Sequence, residues 1–281
     1  MEFSKRNIVL GITVTLLVVM IVIALQPPQP PENNSSIDDV KFWAYQIQGL
    51  QEDGAIDELI DSHYDLLVLE PTSTEKGSEN FDTSEMVSRL HGSPGAALQS
   101  KLVIAYVDIG EAEDWRYYWN DSWIAPTEDE KGNPDFLISV DPDDWSGCYP
   151  VAYWDERWKD IILYNEDSSI QKILDDGFDG IYMDWVEAYD YDQVIDEADN
   201  QGVSPEEEMI EFIDEIRTYC KMQNSEFLII AQNALGLCDE NSEYFELIDG
   251  IAQEHVKFRG EADTEWDDPD SGDIAIPTSG D

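Results

Sequence analysis

The sequence predicts an α/β fold in which short apolar strands alternate with helices. Seven segments have the length and composition of buried strands, and amphipathic helical segments lie between most of them. This alternation favours parallel βα units, and 281 residues are enough to bury one substantial core. At this length a closed (β/α)8 TIM-type barrel fits better than an open sheet.

The predicted strands are short runs of apolar and aromatic residues bounded by turn-forming residues. In chain order they are residues 42–47, 66–69, 102–107, 136–140, 181–183, 227–230 and 250–252. The segment 136–140 is the fourth candidate and has the weakest strand pattern. Helices are predicted at 56–60 and 83–90, and along an apolar face formed by Trp154, Trp158, Ile161, Ile162, Ile170, Ile173 and Leu174.

The helix that follows Ser204 carries the clearest start signals in the chain. Ser204 is placed as its N-cap, Pro205 occupies the first helical position, and residues 206–208 put three glutamates in the positively polarised first turn. An apolar stripe then recurs at helical spacing. It consists of Met209, Phe212, Ile213, Ile216 and Cys220.

The charge balance is extreme: 63 acidic residues stand against 15 basic ones, for a net charge of −48. Repulsion on this scale excludes nucleic acid as a partner and disfavours anionic membrane surfaces. An acidic coat of this kind keeps a protein soluble in concentrated salt, so we expect a halophilic protein. An alternative role for the coat is a negative field that attracts a cationic polymer.

Residues 8–25 contain no charged residue and follow Lys5 and Arg6. This pattern predicts a transmembrane anchor with residues 1–7 in the cytoplasm and the rest of the chain outside the cell. A cleaved signal segment is the alternative, although no small-residue cleavage site follows. We expect a Pro-rich linker at 26–38, the barrel at 39–260 and an acidic tail at 261–281.

The cysteines and histidines show no spacing typical of a metal site. Cys148, Cys220 and Cys238 are too few for a disulfide framework, so free thiols are expected, with a bridge between Cys220 and Cys238 as the alternative. We therefore expect neither a metal ion nor another cofactor.

Two carboxylates directly follow apolar strands. In the segment 177–185 a glycine turn leads into the strand 181–183, which ends at Asp184, and the segment 249–254 repeats the pattern with Glu254. In parallel α/β folds ligands gather at the carboxyl ends of the strands. Two carboxylates at one edge of a sheet are what glycoside hydrolysis requires.

Other polar and aromatic residues concentrate at the same strand ends. The polar ones are Tyr45, Gln46, Glu70, Asp108, Glu111, Gln232 and Asn233. The aromatic ones follow the strands 102–107 and 181–183, and are Trp115, Tyr117, Tyr118, Trp119, Trp185, Tyr189 and Tyr191. Aromatic runs inside strand-following loops cannot all be buried, and sugar rings stack well on such faces.

Five motifs in order resemble glycoside hydrolase family 114, the endo-α-1,4-polygalactosaminidase-like barrels, whose relatives are sometimes labelled cysteinyl-tRNA synthetase-related. They lie at residues 43–48, 105–116, 177–184, 232–233 and 250–254, and the resemblance covers roughly residues 40–258. It implies a TIM-type barrel that acts outside the cell on an α-1,4-linked, galactosamine-containing polysaccharide. The family's two acidic catalytic positions fall on Asp184 and Glu254.

We expect Asp184 to be the nucleophile or electrostatic stabiliser and Glu254 the general acid/base, because the longer glutamate side chain can reach a leaving-group oxygen. Retention and inversion of configuration are both open. The residues expected to bind substrate are Tyr45, Asp108, Glu111, Trp115, Arg116, Trp185 and Asn233.

The end of the chain leaves two interpretations open. Residues 261–281 carry eight acidic residues, no basic ones and one short apolar patch at 274–276. Either this patch is a degenerate last strand of the barrel, or the barrel is incomplete there. The alternative function is therefore a catalytically weak barrel that binds cell-surface polysaccharide.

Overall fold

The computed structural model describes residues 35–143, 145–240, 242–254, 256, 258–259 and 274–275. Its strands, in chain order, are β1 (Trp43–Gln46), β2 (Leu66–Leu69), β3 (Leu102–Asp108), β4 (Glu111–Glu113), β5 (Cys148–Pro150), β6 (Gly180–Asp184), β7 (Leu228–Gln232), β8 (Gly250–Ala252), β9 (Phe258–Arg259) and β10 (Ile274–Ala275). Six of them form a parallel sheet in the order β1-β2-β3-β6-β7-β8.

Helices connect most of the parallel strands. They are α1 (Ala55–Asp61), α2 (Thr83–His91), α3 (Glu156–Lys159), α4 (Ser169–Asp176), α5 (Asp192–Gln201), α6 (Pro205–Gln223), α7 (Gly236–Glu240) and α8 (Tyr244–Leu247). Because consecutive parallel strands lie next to each other, the α/β prediction of repeated parallel βα units is confirmed, and the strand order is that of a TIM-type barrel.

The predicted start signals of the long helix α6 are present in the structure. The Ser204 side chain accepts a hydrogen bond from the backbone N–H of Glu207 at 3.3 Å, and Pro205 opens the helix. The apolar stripe from Met209 to Cys220 is fully buried, which fixes this helix against the rest of the fold.

The two faces of the sheet are lined by alternate residues of each strand. In β3, Val103, Ala105 and Val107 pack into the large core that includes the helices, whereas Ile104 and Tyr106 pack into a smaller cluster on the opposite face. We call this opposite face the inner face. Since strand side chains alternate with a period of two, the inner face continues to the strand-terminal Asp108 and Asp184, which are register partners.

The prediction of a strand at 136–140 is wrong. This segment is a loop in which Leu137 forms only an isolated bridge with Val151. Phe136, Leu137 and Ile138 are buried in the core as part of this loop, which gives the segment the composition of a buried strand. The excursion between β3 and β6 instead contains the antiparallel pair of β4 and β5.

The apolar patch predicted as a degenerate last strand behaves differently from a barrel strand. Ile274–Ala275 pairs antiparallel with Phe258–Arg259, as a two-stranded unit of its own rather than within the parallel sheet. Residue 276 and the rest of the predicted acidic tail lie outside the described residues.

The predicted cytoplasmic segment, the anchor at 8–25 and most of the Pro-rich linker also lie outside the described residues. Within the described part of the chain, no helix is both long and apolar enough to cross a membrane. Cys148, Cys220 and Cys238 form no disulfide bond with one another, so the alternative bridge between Cys220 and Cys238 is not present.

Candidate active site

Asp184 ends β6 at the carboxyl edge of the sheet, where two donors hold its carboxyl group. The hydroxyl of Tyr106 donates to Oδ2 at 2.7 Å, and the backbone N–H of Trp185 donates to Oδ1 at 2.7 Å. Burial first, and then the charge of Glu254, raise the pKa of Asp184 to about 6, although the two hydrogen bonds oppose the rise. The site therefore contains a carboxyl that titrates close to neutral pH.

The turn after Asp184 is strained and tightly packed. Trp185 has a left-handed backbone conformation with φ of 55°, which is unfavourable for a bulky residue. The turn lies so close to Gly110 that a Cβ atom there would be 2.3 Å from the carbonyl oxygen of Trp185. Gly110 thus allows the end of β3 to support the backbone that carries Asp184.

We expect Gly110→Ala to destabilise the protein by about 1–3 kcal/mol, because the new methyl group would overlap the Trp185 backbone and the side chain of Ala188. Gly250→Ala is the matched control, since its Cβ would meet Ile230 at an ordinary 3.6 Å. Thermal unfolding of both variants measures the effect. Equal stability of the two variants would contradict the close approach at Gly110.

Glu254 follows β8 and is held by the end of β7. The side-chain amides of Gln232 and Asn233 donate to its Oε2 at 3.0 and 3.1 Å, and the Asn233 Oδ1 accepts the Glu254 backbone N–H at 3.0 Å. Asn233 itself has a left-handed backbone with φ of 56°, and its N–H donates to the Ala252 carbonyl at 2.9 Å. Glu254 remains exposed to solvent.

Asp184 and Glu254 therefore end two strands of the same parallel sheet, with β7 between them. Both occupy its carboxyl edge, and the charge of Glu254 acts on Asp184. Two carboxyl groups with different surroundings, one largely buried and one exposed, can divide the roles of nucleophile and acid/base.

Glu187 and Tyr106 belong to this site, although sequence reasoning did not select them. Glu187 lies in the 3₁₀ turn Val186–Asp190, where its Oε1 accepts the Asn233 side-chain N–H at 2.7 Å. Burial raises the pKa of Glu187 to about 7. Strand alternation from Asp108 places Tyr106 on the inner face and could have identified it, whereas a glutamate in a loop of so acidic a chain gives no such signal.

Tyr45, Tyr106 and Tyr182 form a ring cluster on the inner face. The Tyr45 ring lies 6.1 Å from that of Tyr106 and 5.6 Å from that of Tyr182, and both pairs meet edge to face. Burial raises the pKa of all three phenols, so they stay protonated and able to donate hydrogen bonds. Tyr45 is 41% exposed and is the member that solvent or substrate can reach.

Asp108 and Glu111 are buried next to the acidic pair. Oδ1 of Asp108 accepts the backbone N–H groups of Gly110 and Glu111, while burial and the charge of Asp184 raise its pKa well above the ordinary value. Burial, together with the charges of Asp108 and Asp141, raises the pKa of Glu111 to about 12. Glu111 is therefore a neutral acid at physiological pH.

Arg116, Trp115 and Trp185, the remaining predicted substrate-binding residues, contact other parts of the fold. Arg116 is buried, and its guanidinium donates to Glu70, Glu113 and Thr74. Its cationic carbon lies 6.0 Å from the centre of the Tyr106 ring, so Arg116 supports the tyrosine that holds Asp184.

The two tryptophans predicted to bind substrate are both half-buried. Trp185 meets the Tyr191 ring edge to face at 6.1 Å, and the Trp115 carbonyl accepts the Lys76 backbone N–H at 2.7 Å. Their predicted role in binding sugar stays a prediction, as does that of Arg116. Among the described residues, no group of three or more histidine, cysteine, aspartate or glutamate side chains could hold a metal ion.

A parallel βα sheet with a carboxylate pair at its carboxyl edge has the layout of a glycoside hydrolase. The sequence comparison makes the class specific: the family model for glycoside-hydrolase family GH114 matches residues 26–261, and the chain belongs to this family. The resemblance deduced from the five motifs is confirmed.

Three curated proteins are similar to this chain in sequence, and all of them are described only as uncharacterized proteins. The chain is 36% identical over 230 residues to MJ1477 of Methanocaldococcus jannaschii, covering 79% of this chain and 58% of that protein. It is 30% identical to a protein of Deinococcus radiodurans and to one of Thermotoga maritima, covering 75% and 77% of this chain. The chain spans only 58–60% of the length of these relatives.

Solved structures of similar fold include Aspergillus fumigatus Ega3 in complex with galactosamine. That structure has a TM-score of 0.49 at 15% identity, covering 81% of this chain and 70% of Ega3. The glycoside hydrolase domain of PelA from Pseudomonas aeruginosa also has a TM-score of 0.49, at 12% identity, covering 84% of this chain and 72% of that domain.

Proposed function

We propose that this protein is an endo-glycosidase that hydrolyses an α-1,4-linked, galactosamine-containing polysaccharide. In this proposal residues 8–25 anchor the domain to the cell membrane or are cleaved as a signal, and the domain acts outside the cell. The six parallel strands belong to a (β/α)8-type barrel whose last strand is incomplete. The observation that carries the proposal is the acidic pair: Asp184 and Glu254 stand at one edge of the sheet, each held by its own set of donors.

In the proposed mechanism Asp184 faces the anomeric carbon and Glu254 protonates the leaving-group oxygen. The two hydrogen bonds on Asp184 orient its carboxylate and stabilise the charge that it carries as a nucleophile or as a partner of the oxocarbenium-like transition state. Glu254, which has the longer side chain, donates a proton to the departing oxygen. In a retaining reaction Glu254 then removes a proton from the attacking water, whereas in an inverting reaction Asp184 removes it. Retention or inversion follows from the separation of the two carboxyl groups in the complex with substrate.

The charge of the site supports an amino sugar as the substrate. Arg116 is the described cation next to these acids, and Glu70 and Glu113 already neutralise it. The remaining acids give the cleft a negative potential when ionised, and the protonated amine of a galactosamine residue complements it. The proposed substrate therefore lacks an acetyl group on at least part of its amines, because only a free amine is protonated.

The test is incubation of the full chain with an α-1,4-linked galactosamine polymer in molar salt. We expect new reducing ends and a rapid fall in polymer length, as internal cleavage produces. A β-1,4-linked glucosamine polymer of similar charge is the matched control, and we expect it to remain intact. If the protein binds the galactosamine polymer and releases no reducing ends, the catalytically weak binding barrel replaces this proposal.

A further inference from the structure

The side-chain amide of Asn233 connects two carboxyl groups of the site. Its Nδ2 donates to Glu187 Oε1 at 2.7 Å and to Glu254 Oε2 at 3.1 Å. Its Oδ1 accepts the backbone N–H of Glu254 and the side-chain N–H of Gln253, both at 3.0 Å. A primary amide has two N–H hydrogens, so this network uses both of them, one for each carboxyl.

These contacts fix the orientation of the amide. A flipped Asn233 would turn its carbonyl oxygen toward two carboxyl groups and its N–H hydrogens toward two donors. The left-handed backbone of Asn233 is followed by a second one at Ala234, with φ of 58°, and strain of this kind is maintained where the surrounding structure fixes the chain. Asn233 is thus a rigid connection between the turn after β6 and the end of β8.

Glu187 is the less exposed of the two carboxyl groups that Asn233 connects. Its Oε2 is buried and, within the described residues, has no hydrogen-bond partner. Burial first, and then the charges of Asp184 and Glu254, raise the pKa of Glu187, whereas the bond to Asn233 lowers it. A carboxyl group in such surroundings lowers the stability of the fold, so stability alone does not account for a glutamate here.

We infer that Glu187 is a positioning residue for the acidic pair: its Oε1 orients the Asn233 amide, and that amide holds the exposed carboxyl of Glu254 over the site. The inference rests on the proposed function, because it assigns Glu254 its task. Without the acceptor on Glu187, one N–H of Asn233 loses its partner, the amide is held by fewer hydrogen bonds, and Glu254 samples other side-chain conformations more often. Misplacement of a catalytic group by about 1 Å lowers turnover about 100-fold.

Three variants of the full chain test this role by polymer hydrolysis. Glu187→Ala removes the acceptor, and we expect kcat to fall about 10- to 100-fold with little change in KM, since substrate contacts remain. Glu187→Gln removes the charge but keeps an acceptor oxygen, and we expect it to recover most of that loss. Asp190→Asn is the matched control, because Asp190 is exposed on the same turn and its substitution removes the same charge.

The outcomes of the kinetic test separate the possible roles. A kcat that falls in Glu187→Ala and recovers in Glu187→Gln supports positioning through the hydrogen bond. Wild-type kcat in Glu187→Ala would overturn the inference, and so would equal losses in Glu187→Ala and Glu187→Gln, which would assign the effect to charge. A loss of kcat accompanied by a lower unfolding temperature in Glu187→Ala would indicate a role in folding and overturn it as well.

A second measurement does not depend on hydrolysis. Solvent exchange of the Asn233 side-chain amide is followed by NMR, with the signal assigned through its loss in Asn233→Asp. We expect exchange of this amide to accelerate at least about tenfold in Glu187→Ala and to stay slow in Glu187→Gln, because a free N–H is open to water. An unchanged exchange rate in Glu187→Ala would overturn the inference even if the wild-type protein cleaves no polymer, whereas absent cleavage alone would overturn only the proposed function.

Discussion

Asp184→Asn is expected to lower kcat for polymer hydrolysis by about 1,000-fold or more, and Glu254→Gln by about 100- to 10,000-fold. An amide can neither attack the anomeric carbon nor exchange a proton with the leaving oxygen. Both substitutions keep the size of the side chain, so we expect polymer binding to persist. Release of reducing ends measures the first effect, and retention of the polymer on immobilised protein measures the second.

Azide distinguishes the roles of the two carboxyl groups. If Asp184 is the nucleophile, azide added to Asp184→Ala restores cleavage by attacking the anomeric carbon directly, and the glycosyl azide has inverted configuration. If Glu254 is the acid/base, azide added to Glu254→Ala attacks the covalent intermediate and gives the retained product. Full activity of Asp184→Asn or Glu254→Gln without azide would remove that residue from the mechanism.

Asp184→Asn is also expected to stabilise the fold at neutral pH. The pKa of Asp184 rises from 3.8 to about 6, so the folded protein binds this proton more tightly than the unfolded chain does. The stabilisation by the proton is therefore complete below the unfolded value and is lost as the pH rises through about 6. At about 1.4 kcal/mol per pKa unit, ionised Asp184 lowers the free energy of unfolding by about 3 kcal/mol above this range.

An asparagine accommodates the two neighbours of Asp184. Its oxygen accepts the Trp185 N–H, and its amide donates to the Tyr106 hydroxyl, which can accept as well as donate. We expect urea unfolding to show a gain of about 2–3 kcal/mol above neutral pH and no gain near pH 4. A variant no more stable than the wild type at either pH would contradict the burial of a charged carboxyl at this position.

The strand ends were predictable from the sequence because they depend on local patterns. Asp184 and Glu254 each follow an apolar run, and because their strands are parallel, both residues lie at one edge of the sheet. The loop at 136–140 has the composition of a strand because the core buries apolar residues of loops and of strands alike. Composition alone therefore could not distinguish this loop from a strand. The strand Glu111–Glu113 was not predicted for the opposite reason, since two of its three buried side chains are glutamates rather than apolar residues.

Which side chains meet depends on the register and direction of the strands, and a single sequence contains neither. Arg116 belongs to the motif 105–116, and nothing in that motif shows that Glu70, on another strand end, reaches its guanidinium. The contact between Glu187 and Asn233 joins residues 46 positions apart in the chain. Such a long-range contact explains why the two strand-end carboxylates could be predicted from local patterns, whereas the role of Glu187 could not.

Dilution from molar to millimolar salt is expected to unfold the domain. The full chain carries a net charge of −48, and the distance over which charges act grows from about 3 Å in 1 M salt to about 30 Å in 0.01 M salt. Helix α6 carries a local cluster of like charges. Its exposed Glu207, Glu211 and Asp214 line a groove together with Glu243 and Glu246. Like charges four residues apart on a helix repel each other, and dilution restores that repulsion.

Far-UV circular dichroism across a potassium chloride series measures this loss as a cooperative transition. A molar concentration of the uncharged osmolyte sucrose is the control, and we expect it to replace salt only in part because it does not screen charge. The triple substitution of Glu207, Glu211 and Asp214 by Lys is expected to move the midpoint to lower salt, since it converts a repulsive surface into an attractive one. An identical spectrum in molar and millimolar salt would contradict the halophilic interpretation of the acidic surface.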